Sequence, residues 1–109
     1  MLPRTLECIV KKTGDDETGR VFTVLCHGQL VAGTSATLKE AVKPLIEEGG
    51  KVIVDLSEVS YVDSMGIGTM VGLKGSAGSA GKCTLEFRNM SERLEELLRF
   101  THLAEILKS

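Results

Sequence analysis

The segment from Val52 to Gly68 constrains this chain more than any other. It begins with an almost wholly apolar run, continues through a short polar stretch after Asp55, and opens a glycine-rich segment with Asp63-Ser64-Met65-Gly66. This pattern predicts a buried strand, a polar loop and a helix that begins near Ser64. The free N–H groups and the positive dipole at that helix end would stabilise an anion, so Ser64 is suited to carry a phosphate.

Length and charge limit the classes of protein to consider. The 109 residues, 42% of them hydrophobic, suffice for one domain with one core. The formal net charge is −2, with Lys and Arg scattered among Asp and Glu, so we expect neither nucleic acid nor an anionic membrane as a partner. No apolar run approaches the roughly 20 residues of a membrane span, and no signal-type stretch follows Met1, which predicts a cytoplasmic protein.

The cysteines and histidines do not have the spacing of a metal or redox motif. Cys8, Cys26 and Cys83 are odd in number and lie in strand-like segments without a C-x-x-C pair, which predicts buried free thiols in a reducing compartment. His27 and His102 are far apart and share no ligand spacing, so we predict a structural or surface role for each and no metal site.

Hydrophobic patterns predict the element order β-β-α-β-α-β-α-(α). The predicted strands are 5–11, 20–27, 51–56 and 82–88. The predicted helices are 35–48, 64–80, one that Ser91 caps and that carries Leu94, Leu97 and Leu98 on one side, and a short last turn after Thr101. The polar turn 13–19 makes the first two strands an antiparallel hairpin. We therefore expect a single α/β domain with a mixed sheet, in which parallel strands follow the hairpin and helices cover the sheet.

Two further details follow from residue type. The almost wholly apolar strand 51–56 is typical of burial on both faces, so we expect it at the centre of the sheet. Gly72, Gly75 and Gly78 recur at every third residue of helix 64–80, and we interpret them as a close approach of that helix to the sheet, with Gly81 as its C-cap. They do not indicate a phosphate-cradling loop, because neither G-x-x-x-x-G-K-[ST] nor G-x-G-x-x-G is present.

From the residues alone, Ser64 has two interpretations. It accepts a phosphate, with Asp63 orienting its hydroxyl or a metal-nucleotide, while Gly66 and Gly68 leave the backbone open to a partner's active site. Alternatively, Ser64 is only the N-cap of the helix, a role worth about 1 kcal/mol that Asp63 would fill as well. A catalytic nucleophile is not expected, because G-x-S-x-G is absent and neither histidine has a place in a triad. We therefore predict that the chain is not an enzyme.

The segments 52–57 and 61–68 resemble the signature of the STAS domain, the fold of bacterial anti-sigma factor antagonists. The likeness extends through Gly28-Gln29-Leu30, 83–87 and 91–98, and so covers roughly residues 5–107. The resemblance implies that an anti-sigma factor with serine kinase activity phosphorylates Ser64, and that only the unphosphorylated antagonist holds this partner away from sigma factor. It also implies a metal-dependent serine phosphatase that resets the switch, and no cofactor for the chain itself.

The resemblance also implies where the partner binds. We expect the loops that follow the central strands to cluster at the carboxyl edge of the sheet, and this cluster to bind the partner. The residues that we predict to contact the partner are Gly28, Gln29, Leu30, Ser57, Asp63, Met65, Gly66 and Gly68. Two departures affect this surface, since the chain has Gly28-Gln29-Leu30-Val31 where the family usually has acidic G-E-L-D, and Met65 where a small residue is common.

The chain stops at Ser109, about where the family usually places its last strand and helix. We therefore expect one STAS domain over 1–109 that lacks those two elements and leaves an exposed sheet edge, which a homodimer would cover. A second function stays open. In that alternative the chain is a STAS scaffold or subunit of a lipid-transport or stress-signalling assembly, it binds its partners constitutively, and Ser64 is a structural cap.

Overall fold

A computed structural model describes residues 5–14 and 19–108, and its elements follow the predicted order. The strands are β1 (Leu6–Thr13), β2 (Val21–Leu30), β3 (Gly50–Val62) and β4 (Cys83–Arg88). The helices are α1 (Ser35–Glu48), α2 (Ser64–Ala80), α3 (Glu92–Phe100) and α4 (Ala104–Lys108). The prediction of an α/β domain is confirmed. Most of the predicted turn 13–19 lies outside the described residues.

The sheet has the order β1-β2-β3-β4. Strand β1 pairs antiparallel with β2, while the β2–β3 and β3–β4 pairs are parallel. This arrangement confirms the predicted hairpin, the mixed sheet and the central position of the strand that starts near Lys51.

The core lies between the sheet and the helices. Alternate residues of the strands are buried on the face toward α1 and α2: Phe22, Val24, Val52, Val54, Leu85 and Phe87. The helices bury against them Leu38, Val42, Leu45, Ile46, Ile67, Met70, Leu73 and Ala77. These apolar side chains form one continuous core.

The opposite face of the sheet is more open than predicted. Lys51 forms an ion pair with Glu86 at 3.3 Å, and Glu86 pairs with Arg88 at 3.0 Å, while 40–47% of each of these side chains is exposed. Ile53 is buried among them at 8% exposure, but Asp55 on the same face is only half-buried. Strand 51–56 was predicted to be buried on both faces. On this second face the prediction holds for Ile53 but not for Lys51 or Asp55.

Strands β2 and β3 are both longer than predicted, and this corrects the position of several site residues. Gly28, Gln29 and Leu30 belong to β2, and Ser57 belongs to β3, where loops were expected. The two strands continue to pair beyond irregularities at Leu25/His27 and Gly28/Gln29. Because bulges insert extra residues into a ladder, they break the alternation by which a strand is recognised in a sequence.

The glycines of α2 do not approach the sheet. Beyond its chain neighbours and the backbone of its own helix, a Cβ atom at Gly72, Gly75 or Gly78 would meet no described atom within 4 Å, and all three positions are exposed. The close approach that we predicted for them is therefore wrong. Gly81 does end the helix in the left-handed conformation, with φ 74°, as predicted.

Other predictions on single residues hold in part. The three cysteines are free, but only Cys26 is buried, whereas Cys8 and Cys83 are half-buried. His27 and His102 are on the surface. In α3, Leu94 and Leu98 are buried as predicted, while Leu97 is 41% exposed. The short last helix, α4, packs against the core through the buried side chain of Leu107.

Candidate functional site

Asp63 connects the end of β3 to the start of α2 and caps that helix. Its backbone N–H donates to the carbonyl oxygen of Leu30 at 3.2 Å. Its carboxylate accepts the N–H of Gly66 through Oδ1 at 2.8 Å and the N–H of Ala32 through Oδ2 at 3.2 Å. Asp63 is thus the N-cap of α2, and it also ties the helix start to the segment that follows β2.

Because Asp63 is the cap, Ser64 is the first residue of the helix itself. Its side chain is exposed, and its hydroxyl makes no hydrogen bond within residues 5–14 and 19–108. The interpretation of Ser64 as the N-cap is therefore wrong. The next residue, Met65, is 60% exposed, so an uncommitted hydroxyl and an apolar side chain are presented together.

Two of the predicted glycines shape the site from within. A Cβ atom at Gly66 would lie 2.3 Å from the carbonyl oxygen of Leu30, so only glycine lets the helix start pack so closely on β2. Gly28 has φ 124°, and a Cβ atom there would lie 2.1 Å from the carbonyl oxygen of Thr5. Gly66 is buried and does not leave its backbone open to a partner, contrary to our prediction, whereas Gly68 is exposed.

The structure does not bring all the predicted site residues together. Leu30 is 1% exposed, so it serves the site through its carbonyl group rather than its side chain. Ser57 is exposed but lies six residues before Asp63 in an extended strand, a separation of about 20 Å. Its N–H donates to Asp55 Oδ1 at 2.9 Å, and this contact is the main reason that the pKa of Asp55 is lowered.

Sequence reasoning placed Gly28 to Gly33 in the partner surface but missed how the segment between β2 and α1 contacts Asp63. Thr34 Oγ1 donates to the Gln29 carbonyl at 2.7 Å and accepts the N–H of Val31 at 3.0 Å, which folds this segment so that Ala32 faces Asp63. Ser35 Oγ also donates to the Val31 carbonyl, at 2.9 Å. A Thr-Ser pair before a helix is a capping signal, but these hydroxyls serve the preceding turn.

The electrostatics of the helix start favour an added anion. The first residues of α2, Ser64 to Ile67, are uncharged, so within 63–67 only Asp63 carries a carboxylate at the positive end of this helix of 17 residues. A phosphate on Ser64 would meet that end of the helix dipole in an exposed position. In the described part of the chain, no group of three His, Cys, Asp or Glu residues is arranged to hold a metal ion.

The helices of the described ranges include none with the length and apolar character needed to cross a membrane.

Comparison with known proteins gives concordant findings. The STAS domain family model matches residues 14–109. An anti-sigma-B factor antagonist of Bacillus subtilis (strain 168) is 36% identical over 84 residues, which cover 73% of this chain and 72% of that protein. The fold is similar to that of the anti-sigma factor antagonist SpoIIAA in its unphosphorylated form, with a TM-score of 0.68 and 15% identity over 91% of this chain and 84% of that one. The phosphorylated form of SpoIIAA, a Bacillus cell fate determinant, matches with a TM-score of 0.66 and 15% identity, and 91% and 86% of the two chains are covered.

Proposed function

This chain belongs to the STAS domain family and is homologous to anti-sigma factor antagonists, and from that premise we propose that it acts by partner switching. The unphosphorylated chain binds an anti-sigma factor that has serine kinase activity, and sigma factor is thereby released. Phosphorylation of Ser64 ends this binding, and a serine phosphatase restores it. In this role the chain is a regulatory binding protein and not an enzyme.

The observation that carries the proposal is the exposed and uncommitted hydroxyl of Ser64 beside the Asp63 cap. A kinase needs an accessible hydroxyl, and the structure must tolerate the modified side chain. Since Asp63 supplies the capping hydrogen bond, Ser64 is free to be phosphorylated without loss of the cap. The fold is also similar to that of SpoIIAA, a protein known in unphosphorylated and phosphorylated forms.

Charge explains how one phosphate would switch binding. It adds about −1.5 to −2 charges at pH 7 next to the Asp63 carboxylate and the exposed side chain of Met65. A partner surface that fits a neutral hydroxyl and an apolar methionine would have to desolvate that charge. The helix dipole would hold the phosphate in place, so binding falls without refolding of the antagonist.

We propose that the predicted partner-binding residues contribute in different ways. Ser64, Met65 and Gly68 are exposed and contact the partner directly. Ser57 lies about 20 Å from Asp63 along β3, so only a partner that also covers much of that strand would contact it. The others position the helix start and the neighbouring backbone: Gly28, Gln29, Leu30, Asp63 and Gly66.

The test is site-mapped intact-mass spectrometry after incubation with ATP and the serine kinase that co-purifies from the native cell. We expect one phosphate on the wild type and none on Ser64→Ala. Ser91→Ala is the matched control, because Ser91 is also at a helix start but its hydroxyl already accepts the N–H of Leu94 at 3.1 Å. This variant should be phosphorylated like the wild type.

Absence of phosphate from the wild type, with a kinase shown to be active on another substrate, would contradict the proposal. Constitutive binding by a STAS scaffold would then be the better explanation. Phosphate on Ser64→Ala at another serine would contradict the assignment of the site while leaving phosphorylation itself in place.

A further inference from the structure

Two cysteine thiols face each other across the β1–β2 hairpin. Cys8 and Cys26 are register partners in this antiparallel pair, and their Sγ atoms are 3.9 Å apart. Both thiols are free. Cys26 is 3% exposed, whereas Cys8 on the edge strand is half-buried and accessible from one side.

The type of backbone pair at this position favours a covalent bond. The carbonyl of Thr5 accepts the N–H of Gln29 at 2.9 Å, which makes Thr5 and Gln29 a hydrogen-bonded pair. Because such pairs alternate along an antiparallel ladder, Cys8 and Cys26 form a non-hydrogen-bonded pair, in which the side chains lie closest. The Cα separation of such pairs, about 4.5 Å, falls within the range that a disulfide needs.

The two thiols are also chemically unequal. Hydrogen bonding from the Cys26 thiol lowers the pKa of Cys8, and the same contact, together with burial, raises the pKa of Cys26. The more accessible thiol, Cys8, is thus also the one that loses its proton more readily. An accessible cysteine whose pKa is lowered by a second thiol beside it is an arrangement that redox-sensing cysteine pairs also use.

We propose that Cys8 and Cys26 form a reversible modification site, at which a small-molecule disulfide converts the two thiols into a cross-strand disulfide. The Cys8 thiolate attacks one sulfur of the small disulfide and displaces its other half as a thiolate. Cys26 then loses its proton and attacks the Cys8 sulfur of the mixed disulfide, which displaces the second small thiolate. Two electrons pass from the protein to the oxidant, and the two protons leave on the two small thiols.

The bond would fix the edge strand β1 to β2. Gly28 lies two residues after Cys26, and its backbone is already in close contact with Thr5. Cys26 also lies between Leu25 and His27, where β3 bulges. Oxidation would therefore hold β1 on β2 four residues before Leu30, the residue of β2 whose carbonyl accepts the N–H of Asp63. This site uses no group that phosphorylation of Ser64 requires, so the two modifications are independent.

The experiment uses oxidised glutathione as the oxidant and iodoacetamide to count the remaining thiols. Wild type and Cys83→Ser should each lose two alkylation sites, and dithiothreitol should restore both. Trypsin should release peptides 5–11 and 21–39 joined by a disulfide. Cys8→Ser should form no such bond. We also expect the Tm of the oxidised wild type to rise by about 10 °C, because the closed loop restricts the unfolded chain.

Three outcomes would overturn the proposal. It fails if all three thiols of the wild type are alkylated after treatment, if the linked peptides include Cys83, or if Cys8→Ser shows the same gain in Tm. Should Cys8→Ser fail to fold, as judged by circular dichroism, the comparison of wild type with Cys83→Ser decides, since the peptide map identifies the linked cysteines directly.

Discussion

The first turns of α2 and α3 are capped with the same geometry but by different residues. In α2, Asp63 Oδ1 accepts the N–H of Gly66, three residues later, at 2.8 Å. In α3, Ser91 Oγ accepts the N–H of Leu94, also three residues later, at 3.1 Å. The serine of α3 is thus the cap, whereas the serine of α2 follows the cap and keeps its hydroxyl free.

The two helix starts also differ in charge. Glu92 and Glu95 lie in the first turn of α3, so the positive end of that helix dipole is already compensated. The first turn of α2 has no such residue in its sequence. A serine at a helix start is therefore available for regulation under two conditions. A neighbouring residue must supply the capping hydrogen bond, and acidic residues in the first turn must not already compensate the helix dipole.

Substitution should affect stability most at the residue whose N–H donates to the cap, which is Gly66 in α2 and Leu94 in α3. Gly66 packs on the Leu30 carbonyl, so Gly66→Ala should lower the free energy of unfolding by about 3 kcal/mol, measured by urea denaturation. Gly68→Ala is the matched control in the same turn. It is exposed with open space around it, and it should stabilise the protein by up to about 1 kcal/mol. A Gly66→Ala protein as stable as wild type would refute the close packing of α2 on β2.

A negative charge should affect partner binding at one helix start and not at the other. Ser64→Asp should weaken binding to the anti-sigma factor by about 2 kcal/mol, roughly 30-fold, in isothermal titration calorimetry. Its stability should hold or rise by a few tenths of a kcal/mol, because the charge faces the helix dipole. Ser91→Asp retains a capping side chain and should bind like wild type. Equal binding by both variants and the wild type would remove the basis for the switch.

Replacement of the N-cap Asp63 should destabilise the start of α2, although Ser64 itself is unchanged. Asp63→Ala loses the bonds to Gly66 and Ala32, and we expect it to destabilise the protein by about 1 to 2 kcal/mol in urea. Asp63→Asn keeps a capping side chain and should lose less than half as much. If the two variants are equally unstable, the charge of Asp63 and not its capping geometry is what matters.

The smallest effect is expected for Ser64→Ala, which should change the free energy of unfolding by less than about 0.5 kcal/mol. Ser91→Ala removes a cap and should cost about 1 kcal/mol. Both are measured by thermal and urea denaturation under one set of conditions. The comparison between the helix starts fails if Ser64→Ala is as destabilising as Ser91→Ala.

Much of the fold can be predicted because the core residues recur with regular periods. Leu38, Val42 and Leu45 follow helical spacing, and Leu85 and Phe87 alternate as in a strand. The ends of β2 and β3 could not be predicted in this way. Polar residues such as Ser57 interrupt the pattern, and the strands continue only because they pair with each other across bulges.

The site was predictable in its location but not in its internal roles. The sequence places Asp63 and Ser64 side by side at a helix start, and both are good capping residues. The choice between them depends on the contacts of Asp63 with Ala32 and Leu30, which are distant in sequence. The pairing of Cys8 with Cys26 likewise depends on the register of the hairpin.

The length of β3 determines how a bound partner would change the overall dimensions of the complex. Its thirteen residues span about 40 Å, and the longest dimension of the molecule is 46 Å against 30 and 20 Å for the others. Ser64 therefore lies toward one pole of an elongated body, and Gly50 lies toward the other. A partner that docks end-on at Ser64 would lengthen the body rather than thicken it, so the complex should diffuse more slowly than a side-by-side complex of equal mass.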